Sequence, residues 1–258
     1  MKDENKELPL DWRIAVVTRL ASELPAAYPG GPSFDAGSHL IVSCLGEAGS
    51  LGVVGFFAPS PVALAMNIAF SAAQQAEELK RAFEFANAPS PTGPVQQITP
   101  ASTGILFDYF EKTMVTVFFS YQAIEAFCNE QLITTSPAGV EIRKKMRKEM
   151  LEKREAERQL STSYKLGHML PEILSLPTMK GKSVWQRFRR LESVRDEVVH
   201  LKNQTVRNND PSKDARQILL RLIAEDARSW PRISMEILEH FIREPIPDWY
   251  GYLKSRVF

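Results

Sequence analysis

The chain has 258 residues, 44% of them hydrophobic and 24% charged, with two cysteines and a net charge of +1. That is enough apolar material for one large domain or two small ones, at a charge content ordinary for a soluble protein. Cys44 and Cys128 lie far apart and fit no metal spacing, so a disulfide framework is not supported and free cytosolic thiols are the expectation. The polar, charged opening Met1 to Glu7 does not read as a signal peptide, and the expected location is cytoplasmic. Charge is unevenly placed, at −4 over residues 1–100 and +5 over residues 101–258, so a polyanion is expected to meet the C-terminal part.

Residues 9–24 carry Leu10, Ile14, Val17, Leu20 and Leu24 at helical spacing and stop at Pro25. Tyr28 to Ser33 is a proline- and glycine-rich loop. Residues 39–57 are apolar and punctuated by glycine, which fits either a hairpin around Glu47-Ala48-Gly49-Ser50 or an irregular helix. No charge occurs from Ala48 to Ala76, yet Pro59 and Pro61 split this stretch. A buried helix at 62–86, seated by Leu64, Ile68 and Leu79, is simpler than a membrane span. Four prolines in Asn87 to Pro100 mark a domain boundary or hinge.

A long helix is expected at 102–133, with Phe107, Phe110, Met114, Val117, Phe118, Tyr121, Ile124, Cys128 and Leu132 on its apolar face. Ser136 to Gly139 ends it. Residues 140–175 read as a second, strongly charged helix, laced by pairs such as Lys145–Glu149 and Lys148–Glu152. Lys180-Gly181-Lys182 is a turn. A third helix runs over 183–205 with Ser183 as N-cap. Asn208 to Pro211 breaks the chain, and a fourth helix at 212–229 turns Ile218, Leu219, Leu222 and Ile223 inward. A fifth starts at Pro231 and carries Ile233, Ile237, Leu238 and Phe241. Pro245 and Pro247 end it, leaving an aromatic tail of Trp249, Tyr250 and Tyr252. Four long amphipathic helices with short connections predict an all-α helical bundle. The expected division is an N-terminal extension over 1–95, mixed or helical, and the bundle over 96–258.

The third helix holds Arg195-Asp196-Glu197-Val198-Val199-His200. On an ideal helix Val184, Phe188, Leu191, Val194 and Val198 form one apolar face, and Arg195 falls within it. An unpaired guanidinium buried there costs several kcal/mol and needs a partner or a second molecule against it. Asp196 and His200 are one turn apart, so the carboxylate is expected to hold the imidazole. Arg195 and His200 are separated by about 140° around the axis. Either the helix distorts, or a second copy contributes its own pair to a groove. Arginine offers a planar fork for phosphate, and histidine takes or gives a proton near neutral pH. The competing interpretation is a structural Arg–Asp pair beside a surface histidine.

Lys180, Lys182, Arg187, Arg189 and Arg190 flank Trp185 and Phe188 with no acid among them. Bases can stack on aromatics beside such charges, although both rings also fit a core role. His39, His168 and His240 are isolated. Glu125 and Asn129 share the polar edge of the long helix, as capping or surface groups. No Walker loop, dinucleotide glycine pattern, zincin motif or nucleophile elbow occurs, and neither cofactor nor metal is expected.

With this Arg-to-His segment late in a bundle, and with Ser120 to Glu130 on the first bundle helix, residues 102–230 resemble the HEPN superfamily. The resemblance implies a dimeric four- to five-helix bundle, HEPN-like, that cuts RNA without a metal to a 2′,3′-cyclic phosphate. Arg195 then binds the scissile phosphate, His200 serves as general base or acid, and Asp196 orients the site. Lys182, Arg189, Arg190, Lys202 and Asn203 are the expected RNA contacts. The implied partners are RNA, a second copy and an antitoxin or inhibitor protein, in toxin–antitoxin or antiviral-defence settings. Some toxins of the superfamily carry, two residues after the histidine, a tyrosine that their partner modifies; Lys202 stands there instead. Other members have lost catalysis and act as interaction modules binding a protein or nucleotide.

Overall fold

The computed structural model describes residues 11–20, 22–26, 31, 33–90, 93–135, 139–144, 147–200, 216–244 and 246–257. The protein is mainly helical, with small antiparallel strand pairs. It divides into two compact units, Met1–Leu64 with Arg243–Phe258, and Ala65–Ile242. The expected boundary near residue 95 differs from this division, because helix α1 (Pro61–Arg81) carries Ala73 and Ala76 into a cluster with Tyr109 and Ala227.

In the first unit, strand β1 (Val16–Arg19) pairs with β2 (His39–Ile41). The helix expected over 9–24 is therefore absent among the described residues. Its backbone groups are spent across strands: the Ala15 N–H donates to the Ala58 carbonyl at 2.8 Å, and the Val42 N–H to that of Ala15 at 3.2 Å. The consecutive β-branched residues Val16, Val17 and Thr18 favour this outcome over a helix. Strands β3 (Ser43–Glu47) and β4 (Val53–Phe57) form the hairpin foreseen for 39–57, in register from Ser43↔Phe57 to Glu47↔Val53. A 3-10 turn at Gly49–Leu51 joins them, with φ of 56° at Gly49 and 71° at Gly52. The aromatic tail is helix α9 (Asp248–Val257), with Trp249, Tyr250 and Leu253 buried and Tyr252 stacked on Trp12 at 4.3 Å. Asp248 at its start and Lys254 and Arg256 at its end suit the helix dipole. Most of the expected loop at Tyr28 to Ser33 lies outside the described residues.

Helix α1 opens with Pro61, whose missing N–H costs nothing there, and the Ala63 N–H donates to Ser60 Oγ at 3.3 Å. Its buried side is not the expected Leu64–Ile68 face. Ala65, Met66, Ala69, Ala72, Ala73 and Ala76 are buried, while Ile68 is exposed. Alanines let neighbouring backbones come close, which a leucine stripe would prevent. The expected hinge is also corrected: β5 (Phe85–Ala88) and β6 (Val95–Ile98) pair as a hairpin. Pro89 and Pro94 sit just outside the strands, where no ladder N–H is required.

Helix α2 (Thr103–Thr135) is about 50 Å long. Val117, Tyr121, Ile124, Cys128 and Leu132 are buried as expected, whereas Phe107 and Phe118 are exposed. Tyr109, Phe127, Thr113 and Thr116 are buried instead, and the two threonine hydroxyls donate to carbonyls one turn earlier at 2.8 Å.

The charged helix expected over 140–175 is formed only from Lys153 onward and in short pieces, and residues 140–151 depart from it. Strands β7 (Val140–Lys144) and β8 (Arg147–Leu151) pair antiparallel, and a short helix α3 (Lys153–Gln159) follows. Gly139, at φ 106°, starts this hairpin, and β8 delivers Leu151 to a cluster with Leu132, Ala156 and Met169. The pairs foreseen through Lys145 and Lys148 rest on side chains outside those described. Next comes a helical run with a wide π turn at Lys165–Met169, flanked by α4 (Thr162–Tyr164) and α5 (Leu170–Ile173). Gly181, at φ 83°, makes the expected turn.

Helices α6 (Ser183–Val199), α7 (Arg216–Ala224) and α8 (Ser229–Phe241) complete the bundle. Both α6 and α8 pack on α2 and on each other. Ile218 and Leu222 of α7 and Ile233, Ile237, Leu238 and Phe241 of α8 are buried, as their spacing predicts. Lys182 rather than Ser183 is the N-cap of α6, and no side chain caps it. The stretch 201–215 lies outside the described residues. Among the described residues, no helix is long and apolar enough to cross a membrane.

Candidate functional site

Helix α6 is seated by Phe188, Leu191 and Val194, all fully buried. Arg195 shares that face, and its side chain keeps 24% exposure. The guanidinium carbon lies 3.8 Å from the centre of the Tyr121 ring, which comes from α2. The same ring stacks on Phe188, centroids 6.2 Å apart and planes 13° from parallel. Phe188 and Arg195 are two turns apart, about 10.5 Å along the axis, which leaves room for one ring between them. Tyr121 fills that slot. Arg195 Nη1 lies 2.8 Å from Asp196 Oδ1, and Nε is buried with no hydrogen-bond partner.

Tyr121 is held in turn. Its hydroxyl donates to Glu192 Oε1 at 3.3 Å, and Ser163 Oγ donates to the same carboxylate, 2.7 and 2.8 Å from its two oxygens. Arg189 pairs with Glu192 and donates to Ser163 Oγ at 2.6 Å. Burial pushes the Tyr121 phenol above its ordinary pKa, while a hydrogen bond from Thr162 and the Arg195 charge oppose the rise. Glu192, Ser163 and Tyr121 thus tie α6, α4 and α2 together below Arg195.

His200 stands outside this network. It ends α6 as the C-cap, at φ −109° and ψ 43°, and is exposed. The expected grip of Asp196 on its imidazole is not formed. The Asp196 carboxylate pairs with Arg195, and only its backbone carbonyl reaches His200, accepting the His200 N–H at 3.0 Å. The neighbouring guanidinium outcompetes an imidazole one turn away. Among the described residues no hydrogen bond joins Arg195 to His200.

Of the expected RNA contacts, Lys182, Arg189 and Arg190 are among the described residues. Lys182 is exposed at the start of α6. Arg189 is paired with Glu192, Arg190 with Glu225, and Arg187 with Glu236. These arginines remain about half exposed, so phosphate can compete for them at small cost. Lys202 and Asn203 lie outside the described residues. Trp185 is half-buried against Phe188, which belongs to the core. His168 is exposed, as a structural or surface histidine would be, and its ring meets Lys180 Nζ and Tyr164. His240 lies 3.0 Å from the Pro177 carbonyl, a structural contact.

Sequence reasoning overlooked Glu192, Ser163 and the fully buried Lys165. Lys165 Nζ donates to Asn129 Oδ1 at 2.7 Å and to the Glu157 carbonyl at 2.8 Å, and burial lowers its pKa. The available signal was a lysine within the apolar run Lys165-Leu166-Gly167-His168-Met169-Leu170. Glu192 had none, since only its carboxylate's neighbours from α2 and α4 distinguish it from other acids of α6. Among the described residues, no group of three or more His, Cys, Asp or Glu is arranged to hold a metal ion. No family model, curated protein or solved structure matches the chain.

Proposed function

We propose that the protein is a metal-independent endoribonuclease of HEPN type, with a site completed by a second copy. The observation that carries this reading is the state of Arg195: a partly buried guanidinium, set over an aromatic ring, whose Nε–H has no partner. An unsatisfied buried donor costs about 1–3 kcal/mol, which a purely structural arginine would be expected to avoid. Arg195 stabilises the developing charge on the scissile phosphate. His200, exposed at the end of the same helix, moves the proton between the ribose 2′-hydroxyl and the leaving oxygen. The product is a 2′,3′-cyclic phosphate. Because one chain forms no Arg195–His200 contact, the arginine of one copy and the histidine of the other are taken to share each phosphate.

The test is incubation of purified protein with a defined oligoribonucleotide in EDTA, with analysis of the product ends and the oligomeric state. His200→Ala should abolish cleavage while fold and dimer persist. Cleavage by that variant at the wild-type rate refutes the assignment. One observation favours a second reading, a non-catalytic interaction module: the Arg195–Asp196 pair and the stack on Tyr121 are also what a structural arginine makes. Absence of cleavage by the wild type, with stability lost in Arg195→Ala, would select it.

A further inference from the structure

We infer that Tyr121 is a positioning residue for the Arg195 fork, a role that rests on the endoribonuclease reading. All five N–H bonds of a guanidinium lie in its plane, so a ring against its face consumes none of them. An acid partner fixes the same group only by taking donors away. At 3.8 Å from the ring centre, Tyr121 anchors the charge and leaves the edge of the fork to a phosphate. Asp196 takes a single edge position, at Nη1.

The ring is itself held by its neighbours. Phe188 backs it, and the hydroxyl is tied to Glu192, which Ser163 and Arg189 hold. Tyr121 therefore carries orientation from α2 and α4 to a side chain of α6. A flexible arginine loses rotamer freedom when it binds phosphate, and a stacked one has lost it already. The stack thus favours the transition state by prior alignment rather than by new contact.

The experiment compares wild type, Tyr121→Leu and Tyr121→Phe by steady-state cleavage of an oligoribonucleotide and by the Nε–Hε spectrum of 15N-arginine-labelled protein. Loss of a desolvated cation–ring contact should lower kcat about 10- to 30-fold in Tyr121→Leu, with KM within about twofold. Tyr121→Phe keeps the ring and should recover most of that loss. In the wild type one Nε–H signal should be shifted upfield by the ring and exchange slowly. It should vanish from that position in Tyr121→Leu and persist in Tyr121→Phe. Equal kcat in wild type and Tyr121→Leu, or a Tyr121→Phe as impaired as Tyr121→Leu, overturns the inference. Wild type that fails to cleave RNA refutes the nuclease reading; the arginine spectrum then still decides the stack, and the absence of a shifted signal overturns it. Should Tyr121→Leu not fold, Tyr121→Met replaces it on the same two readouts: loss of the shifted signal with a lower kcat supports the inference, and a wild-type signal and kcat overturn it.

Discussion

Replacing Glu192 tests whether the acid beneath Arg195 holds three helices together. Its side chain keeps only 13% exposure, and it accepts from Ser163 and Tyr121 while pairing with Arg189. The single Ser163 proton, shared by both carboxylate oxygens, amounts to one charge-assisted bond, and the 3.3 Å Tyr121 bond is weak. With about 1.5–3 kcal/mol for the first and less for the others, Glu192→Ala should cost about 2–4 kcal/mol. For a chain of this size that lowers Tm by roughly 5–15 °C. Glu192→Gln keeps an acceptor for Ser163 and should cost about 1 kcal/mol. The control is Glu236→Ala, which removes an ion pair with Arg187 whose two side chains are 44% and 45% exposed. Such exposed pairs contribute at most about 1 kcal/mol. Urea unfolding followed by circular dichroism measures all three. If Glu192→Ala costs no more than Glu236→Ala, burial does not set the strength of this node and the reasoning fails.

Two further outcomes are expected. Tyr109 is fully buried and donates to the Leu222 carbonyl at 2.5 Å, and burial pushes its phenol up to about 12. Since the unfolded phenol ionises near 10, stability should hold below that pH and fall by about 2–3 kcal/mol as the pH rises from 10 to 12. Tyr109→Phe should lose about 1 kcal/mol at pH 7 and lack that alkaline decline, as denaturant titrations at several pH values will show. Gly139→Ala places a Cβ 2.6 Å from the Leu151 carbonyl oxygen at a φ of 106°. It should cost about 2–3 kcal/mol and speed hydrogen exchange in β7 and β8, whereas Gly46→Ala, which meets nothing within 4 Å, should be nearly neutral. Equal exchange in the two variants would contradict the geometry.

The helices that spacing revealed are those with one partner face. Helices α2, α6 and α8 each bury a periodic stripe, and the stripe is visible without knowing the partner. Helix α9 was missed because Pro245 and Pro247 precede a short aromatic segment that carries little periodicity. Residues 140–151 misled for another reason: dense lysine, arginine and glutamate suits a solvated helix and a solvated hairpin alike. What decides is Gly139 and the delivery of Leu151 to the core, a contact between distant parts of the chain. In the candidate site, the placement of Arg195 on an apolar face was legible. Its stack on Tyr121 was not, because it depends on how α2 and α6 are staggered. The choice of Asp196 for Arg195 over His200 was likewise a matter of local competition that spacing alone leaves open.

The wide turn at Lys165–Met169 sets a rule about length. It keeps Lys165, Leu166, Gly167, Met169 and Leu170 together in the interior. Deleting one residue there would tighten the turn to the ordinary pitch and leave the segments before and after it nearly in their present phase. Leu170 and Pro171 would keep facing the interior, whereas a deletion in the regular part of α2 or α6 would swing everything beyond it by about 100°. Natural variation is therefore expected to tolerate a one-residue loss in this segment more readily than in the regular helices.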